Sequence, residues 1–220
     1  MRNKSDSRRS LLTMMLAASI GAVAMLGVVT APRADQSPTD VVKSLVTPAL
    51  QILGDKATPL KERQDKLRKL VSSDVFDFTA MARSALGVHW RDLNDQQRQE
   101  FTQVFTAFLQ DSYLSRIQDY SGQQVNFLGE TDLGEGRAEV KTTIEQPNGK
   151  APIQVNYMLR KENGKWLIYD VTVDNISIAA NYRNQFNRVI NNQGFDTLLA
   201  DLKRKQQGLE EQLGTPHAHD

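Results

Sequence analysis

Residues 138–173, "AEVKTTIEQPNGKAPIQVNYMLRKENGKWLIYDVTV", hold three stretches of period-two apolar patterning separated by two turn signals. Ala138, Val140, Thr142 and Ile144 alternate, and "QPNGK" follows, with Asn148-Gly149 suited to positive φ. Ile153, Val155, Tyr157 and Leu159 alternate next, and "ENGK" places a second turn at Asn163-Gly164. Trp166 and Ile168 then alternate with Leu167, Tyr169, Val171 and Val173. Val125 and Phe127 begin the same pattern upstream. Alternation of this kind gives strands with one apolar face, and Asn-Gly pairs favour tight hairpins. Four strands joined by short turns form an antiparallel sheet.

Helical periodicity flanks this block on both sides. Val42, Leu45, Val46, Ala49, Leu50 and Leu53 follow the i, i+3, i+4, i+7 rule, with Pro48 inside the stripe to kink the helix or delay its start. Pro59 opens a second helix carrying Leu60, Leu67, Leu70 and Val71. Asp74 is the expected cap of a third, whose stripe is Phe78, Met81, Ala82, Ala85 and Leu86 and whose stop is Gly87. Asn94 and Gln97 read as a variant capping box. The helix behind it lines up Phe101, Val104, Phe105, Phe108, Leu109 and Tyr113. After Asn175, Ala179, Tyr182, Phe186, Val189 and Ile190 share a face. Gly194 breaks that helix, and Phe195, Leu198, Leu199 and Leu202 begin the last one. From Gln206 onward the chain reads as polar, ending in "GTPHAHD". The fold class is α+β: a twisted four-stranded antiparallel sheet wrapped by N- and C-terminal helices in one domain, residues 35–213, with residues 214–220 as a disordered tail.

Residues 1–34 read as an export signal. A basic front precedes the apolar run "LLTMMLAASIGAVAMLGVVT" at 11–30, and small residues follow. The run is also about long enough to span ~30 Å of hydrocarbon, which would make it a retained anchor. Its Ala and Gly content makes it a weak anchor and favours cleavage, although the site is imperfect: a cut after Ala34 puts Pro32 at the −3 place, and one after Ala31 leaves a proline just past the cut. "SRRSLL" at 7–12 resembles the twin-arginine export motif, which delivers folded cargo. Either route places the mature domain outside the inner membrane. The whole chain is formally +1, but residues 1–34 hold five basic side chains against one acidic, so the remainder is −3. That balance argues against nucleic acid as a partner. The absence of cysteine removes disulfides, thiolate metal sites and cysteine nucleophiles.

Chemical motifs are sparse. His89 adjoins Trp90 past a helix end, and His217 and His219 lie in the polar tail, so no metal set forms. HExxH and GxSxG are absent. "LGEGR" at 133–137 lies between strands and cannot cradle phosphate, lacking a helix behind it. Asp170, read on the face of Trp166 and Ile168, is the one candidate base: a carboxylate in an apolar site can act on a hydrophobic substrate. Against it stands the absence of a second polar group at any recognisable spacing. The positive feature is apolar surplus, which either fills a core or surrounds a hollow suited to an apolar ligand. A filled core would instead indicate a structural adaptor.

"FDFTAMARSALGVHWRDLNDQQRQEFTQVFTAFLQDSY" at 76–113 and "KWLIYDVTVDNISIAANYRNQFNRVI" at 165–190 together resemble the MlaC family, also called the toluene-tolerance periplasmic proteins. The resemblance covers about residues 38–205. It implies a periplasmic lipid carrier without enzymatic activity or cofactor, holding phospholipid acyl chains between a twisted sheet and its helices. It also implies partners: an outer-membrane lipoprotein–porin complex and an inner-membrane ABC transporter with its substrate-binding ring. A branch of the family is associated with hopanoid biosynthesis, and its lipid would be the cargo there. Arg83 and Arg183 match family arginines, expected in salt bridges at the rim or on a lipid phosphate.

Carriage of this kind needs area more than chemistry. Two acyl chains hold roughly thirty methylenes, each worth ~0.8 kcal/mol on burial. By geometry, Phe105, Phe108, Leu109 and Tyr113 should supply one wall of the pocket. Val140, Val155, Tyr157, Val171 and Val173 should form its floor, and Met81, Ile178, Tyr182 and Phe186 its sides. A strand face assigned wrongly would exchange every residue on it.

Overall fold

The computed structural model describes residues 36–116, 120–146 and 149–214. The segment read as an export signal, Asn148, and residues 215–220 of the expected tail with His217 and His219 lie outside the described residues. Helix α1, Pro38–Gly54, starts at a reciprocal cap: the Asp40 N–H donates to Ser37 Oγ at 3.1 Å, and the Ser37 N–H donates to the Asp40 carboxylate. It runs through Pro48 instead of starting after it, burying Val41, Val42, Leu45 and Val46. Helix α2, Leu60–Leu70, follows Pro59.

Helix α3, Phe78–Leu86, is capped by Asp77, whose Oδ1 accepts the Ala80 N–H at 2.8 Å. The expected cap, Asp74, sits three residues too early, and the cause is pairing with the sheet. The Asp77 N–H donates to Ile168 O and the Ile168 N–H donates to Val75 O, both at 2.8 Å, so residues 75–77 are drawn out beside strand β4 (Lys165–Val173) before helix can begin. Gly87 ends α3 at φ 57, where a Cβ would lie 2.9 Å from Arg183 Cδ, so glycine serves both the turn and the close approach. A 3₁₀ turn, Gly87–Asp92, carries His89 and Trp90; His89 Nε2 lies 2.8 Å from Asn187 Oδ1, and Arg98 covers the Trp90 ring. Helix α4, Asp95–Leu114, opens with the Asn94–Gln97 capping box.

Strands β1 (Val125–Gly134), β2 (Arg137–Ile144), β3 (Ile153–Glu162) and β4 pair in sequence order, all antiparallel. The β3–β4 turn has φ 50 at Asn163 and 81 at Gly164, as its Asn-Gly pair requires. A two-residue β5, Ile176–Ser177, extends the sheet beyond β4. Helices α5 (Ile178–Gln193) and α6 (Phe195–Gly214) follow. Helix α6 continues through the segment read as polar, and its late Leu213 is buried against Leu67 and Leu114. One face of the sheet, through the fully buried Val140, Leu159 and Ile168, joins a single core with α1, α3, α4, α5 and α6.

Strand β4 contains a bulge. Met158 pairs with Asp170 and Leu159 with Ile168, leaving Tyr169 as the extra residue. Ile168 opposite Leu159 and Val171 opposite Tyr157 therefore share the inner face, although their spacing is odd. Asp170 falls on the other face, contrary to the reading that placed it with Ile168.

Candidate functional site

Between the inner sheet face and the helices lies a cavity of about 420 Å³. Its floor is Ile144, Val155, Tyr157, Val171 and Val173. Helix α4 contributes Leu109, Gln110, Tyr113 and Leu114, and α3 contributes Phe78 and Met81. Leu45 and Leu53 come from α1, Leu67 and Arg68 from α2, with Val71 and Phe76 from the segment after it and Ile178 from the start of α5. The volume falls within the ~300–1,000 Å³ of ordinary small-ligand pockets. The floor follows from register: Val155 opposite Val173 and Tyr157 opposite Val171 put four apolar side chains side by side on two neighbouring strands. Burial pushes the Tyr157 phenol up to about 12, so it contributes a neutral ring at any physiological pH.

Of the side chains expected from sequence, Met81, Leu109, Tyr113, Val155, Tyr157, Val171, Val173 and Ile178 line this cavity. Tyr113 stands at its edge, 54% exposed. Phe105, Phe108, Val140, Tyr182 and Phe186 do not line it. Four of these form an aromatic cluster between α4 and α5, with Phe105 to Tyr182 at 5.3 Å, Phe105 to Phe186 at 5.5 Å and Phe108 to Tyr182 at 5.8 Å between ring centroids. Aromatic rings satisfied by one another are unavailable to the hollow. Val140, fully buried, is covered by the helices.

Sequence reasoning missed the contribution of α1 and α2. In the sequence Leu45, Leu53 and Leu67 stand out only as members of helical stripes, and a stripe does not reveal whether it faces filled or empty space. Arg68 and Gln110 carried no apolar signal, yet both reach the cavity.

Asp170 is committed to structure. Its Oδ2 accepts the Ser177 hydroxyl at 2.5 Å and its Oδ1 accepts the Ala179 N–H at 3.2 Å, so the carboxylate secures the first turn of α5. It does not border the cavity, and no carboxylate or histidine is among the described residues that do. Arg83 lies in a separate polar cleft with Arg91 and Arg160, while the methylenes of Arg183 pack over Gly87. Neither arginine borders the cavity, and neither makes the expected salt bridge among the described residues. Among the described residues there is no group of three or more side chains placed to hold a metal, and no helix long and apolar enough to cross a membrane.

Comparison with known proteins places this geometry in a family. Residues 43–204 match the family described as MlaC protein. The chain is 24% identical over 177 residues to the intermembrane phospholipid transport system binding protein MlaC of Haemophilus influenzae, covering 78% of this chain and 83% of that one. It is 28% identical over 172 residues to the toluene tolerance protein ttg2D of Pseudomonas putida, covering 74% and 77%. A phospholipid-binding protein from Ralstonia solanacearum, solved in complex with a phospholipid, shares the fold with a TM-score of 0.66 at 24% identity, over 77% of this chain and 97% of that one. With its helices, antiparallel sheet and matched span of residues 43–204, the chain belongs to the MlaC family.

Proposed function

We propose that this protein is a periplasmic phospholipid carrier that takes acyl chains into the cavity between sheet and helices. The observation that carries the reading is the cavity itself: an almost wholly apolar hollow on the sheet floor, in a member of a family whose named relatives are phospholipid-binding transport proteins. An apolar hollow that can hold ligand is what separates a carrier from an adaptor with a filled core. Asp170 is tied to α5 and is not placed to act on a ligand in the cavity, and the family's matched relatives are named for phospholipid binding and transport, which supports binding over catalysis.

The acyl chains would be buried in the cavity of about 420 Å³ between sheet and helices. In this reading the carrier exchanges lipid between an outer-membrane lipoprotein–porin complex and an inner-membrane ABC transporter with its substrate-binding ring. A hopanoid-type lipid is the alternative cargo.

Native mass spectrometry of protein isolated from the periplasm tests the reading. The expected result is a one-to-one complex with a two-chain phospholipid. A polycyclic lipid in its place would identify the hopanoid-associated branch. Protein that is empty and takes up no lipid from vesicles would overturn it.

A further inference from the structure

The cavity lining is apolar apart from Arg68, Gln110 and the phenols of Tyr113 and Tyr157, and the Gln110 amide is spent on Val71 O. Arg68 is the only charged side chain among the described residues that line it, and 35% of that side chain remains exposed, so it stands where the hollow meets solvent. Its Nη2 donates to Asp111 Oδ1 at 2.6 Å. The Asp111 side chain is 4% exposed, and its other oxygen accepts Gln206 Nε2 at 2.9 Å. A buried carboxylate on α4, backed by α6, thus fixes the guanidinium of α2 in one orientation.

The fork is not exhausted by this bond. Nη1 forms a longer ion pair with Asp65 at 3.7 Å, beyond hydrogen-bond reach, and Nε makes no hydrogen bond among the described residues. A guanidinium carries five N–H donors in one plane, matched to the oxygens of carboxylates and phosphates. Were the task only to pin α2 to α4 beside an apolar hollow, a packed apolar pair would do so without the cost of desolvating two charges. A charge held at the edge of such a hollow suits a ligand with a long apolar part and an anionic end.

We propose that Arg68 is the headgroup contact: its free N–H groups donate to the phosphodiester of a lipid whose chains occupy the cavity, and Asp111 is the positioning residue that aims it. The inference rests on the carrier reading and adds to it a selectivity, for two-chain lipids bearing a phosphate over uncharged lipids with the same chains. Charge-assisted hydrogen bonds of this type give a preference of roughly tenfold or more.

The test offers delipidated protein a choice of phosphatidylglycerol or diacylglycerol with matched chains, each presented in micelles of an uncharged maltoside detergent, with bound lipid counted by mass spectrometry. The wild-type protein is expected to favour phosphatidylglycerol by roughly tenfold. Because Arg68→Ala would strand Asp111 as a buried unpaired charge, the variant is the neutral pair Arg68→Gln/Asp111→Asn, its fold checked by circular dichroism. It should bind both lipids alike. Equal binding of both lipids by the wild type, or an unchanged preference in the neutral pair, would overturn the headgroup assignment and leave the carrier reading standing. Uptake of neither lipid by the wild type would overturn both. Should the neutral pair fail to fold, Arg68→Gln alone takes its place, and an unchanged preference there would likewise overturn the assignment.

Discussion

Phe105 of α4 and Tyr182 of α5 meet edge to face with ring centroids 5.3 Å apart, and Phe186 meets the same Phe105 ring at 5.5 Å. These rings fasten α4 to α5 beside the cavity without entering it. Phe105 is 1% exposed, so Phe105→Ala should cost about 3–5 kcal/mol through lost burial and the void left behind. In a chain of this size that lowers Tm by roughly 10 °C or more. Thermal unfolding followed by circular dichroism measures the loss. Below its own Tm the variant should still take up lipid, because the cavity wall is unchanged. Lipid binding lost with Tm intact would place Phe105 in the site instead of the frame.

Val155 and Val171 give the opposite pattern. Both stand on the floor with empty volume in front of them. Val155→Phe/Val171→Phe adds bulk where no neighbour has to move, so the usual overpacking cost of ~1–3 kcal/mol should be small or absent. The double variant is expected to keep a Tm within a few degrees of wild type and to lose co-purified lipid by at least tenfold, as read by native mass spectrometry. Undiminished lipid in a stable double variant would mean that chains are held elsewhere.

The contrast between these two predictions marks what the amino-acid pattern reveals. Period-two runs and Asn-Gly turns located the sheet, because strand alternation and positive φ at Asn163 and Gly164 are local properties. Val155 and Tyr157 fell on the inner face for the same reason. Helical stripes on α4 and α5 identified Phe105, Phe108, Tyr182 and Phe186 as inward-facing. Periodicity cannot say whether an inward side chain meets another side chain or a void, and these four meet each other. The bulge at Tyr169 breaks the alternation it was read from, which is why Asp170 was assigned to the wrong face. The cap of α3 moved from Asp74 to Asp77 through a pairing with Ile168 that lies ninety-odd residues away in the chain and leaves no local signal. Arg68 escaped notice because its meaning depends on Asp111 and Gln206, brought to it from two other helices.

Tyr157 gives the protein an alkaline signature. Its phenol ionises near 10 in the unfolded chain and at about 12 in the folded one, because burial disfavours the phenolate. A folded pKa above the unfolded value means that the stabilisation is fully present below pH 10 and is lost as pH rises from 10 to 12. Two pKa units correspond to about 2.7 kcal/mol. Denaturant unfolding at several pH values, comparing wild type with Tyr157→Phe, should find the two curves parallel below pH 10. Above it the wild type should fall faster, by up to that amount at pH 12. Parallel curves throughout would show that the phenol ionises freely, and hence that the floor of the cavity is wet.

Helix α6 makes the last prediction. Its Leu213 packs on Leu67 and Leu114, and both of those side chains also line the cavity, so the last turn of α6 backs the end wall of the hollow. Leu213 is 9% exposed although it follows a mostly polar run. Leu213→Ala removes that backing at a cost of about 2–3 kcal/mol or less, the low end for leucine because the cluster is small and near the surface. The wall should yield before the fold does. Lipid exchange with vesicles, followed by fluorescent phospholipid transfer, is expected to accelerate severalfold in Leu213→Ala. Gln206→Leu acts on the same helix by a different route, since it withdraws one hydrogen bond from the buried Asp111 and leaves the Arg68 pair in place. It should loosen α6 with a smaller gain in exchange rate. Were Leu213→Ala to lower Tm without changing exchange, α6 would serve the core alone, and the end wall formed by Leu67 and Leu114 would hold its shape without support.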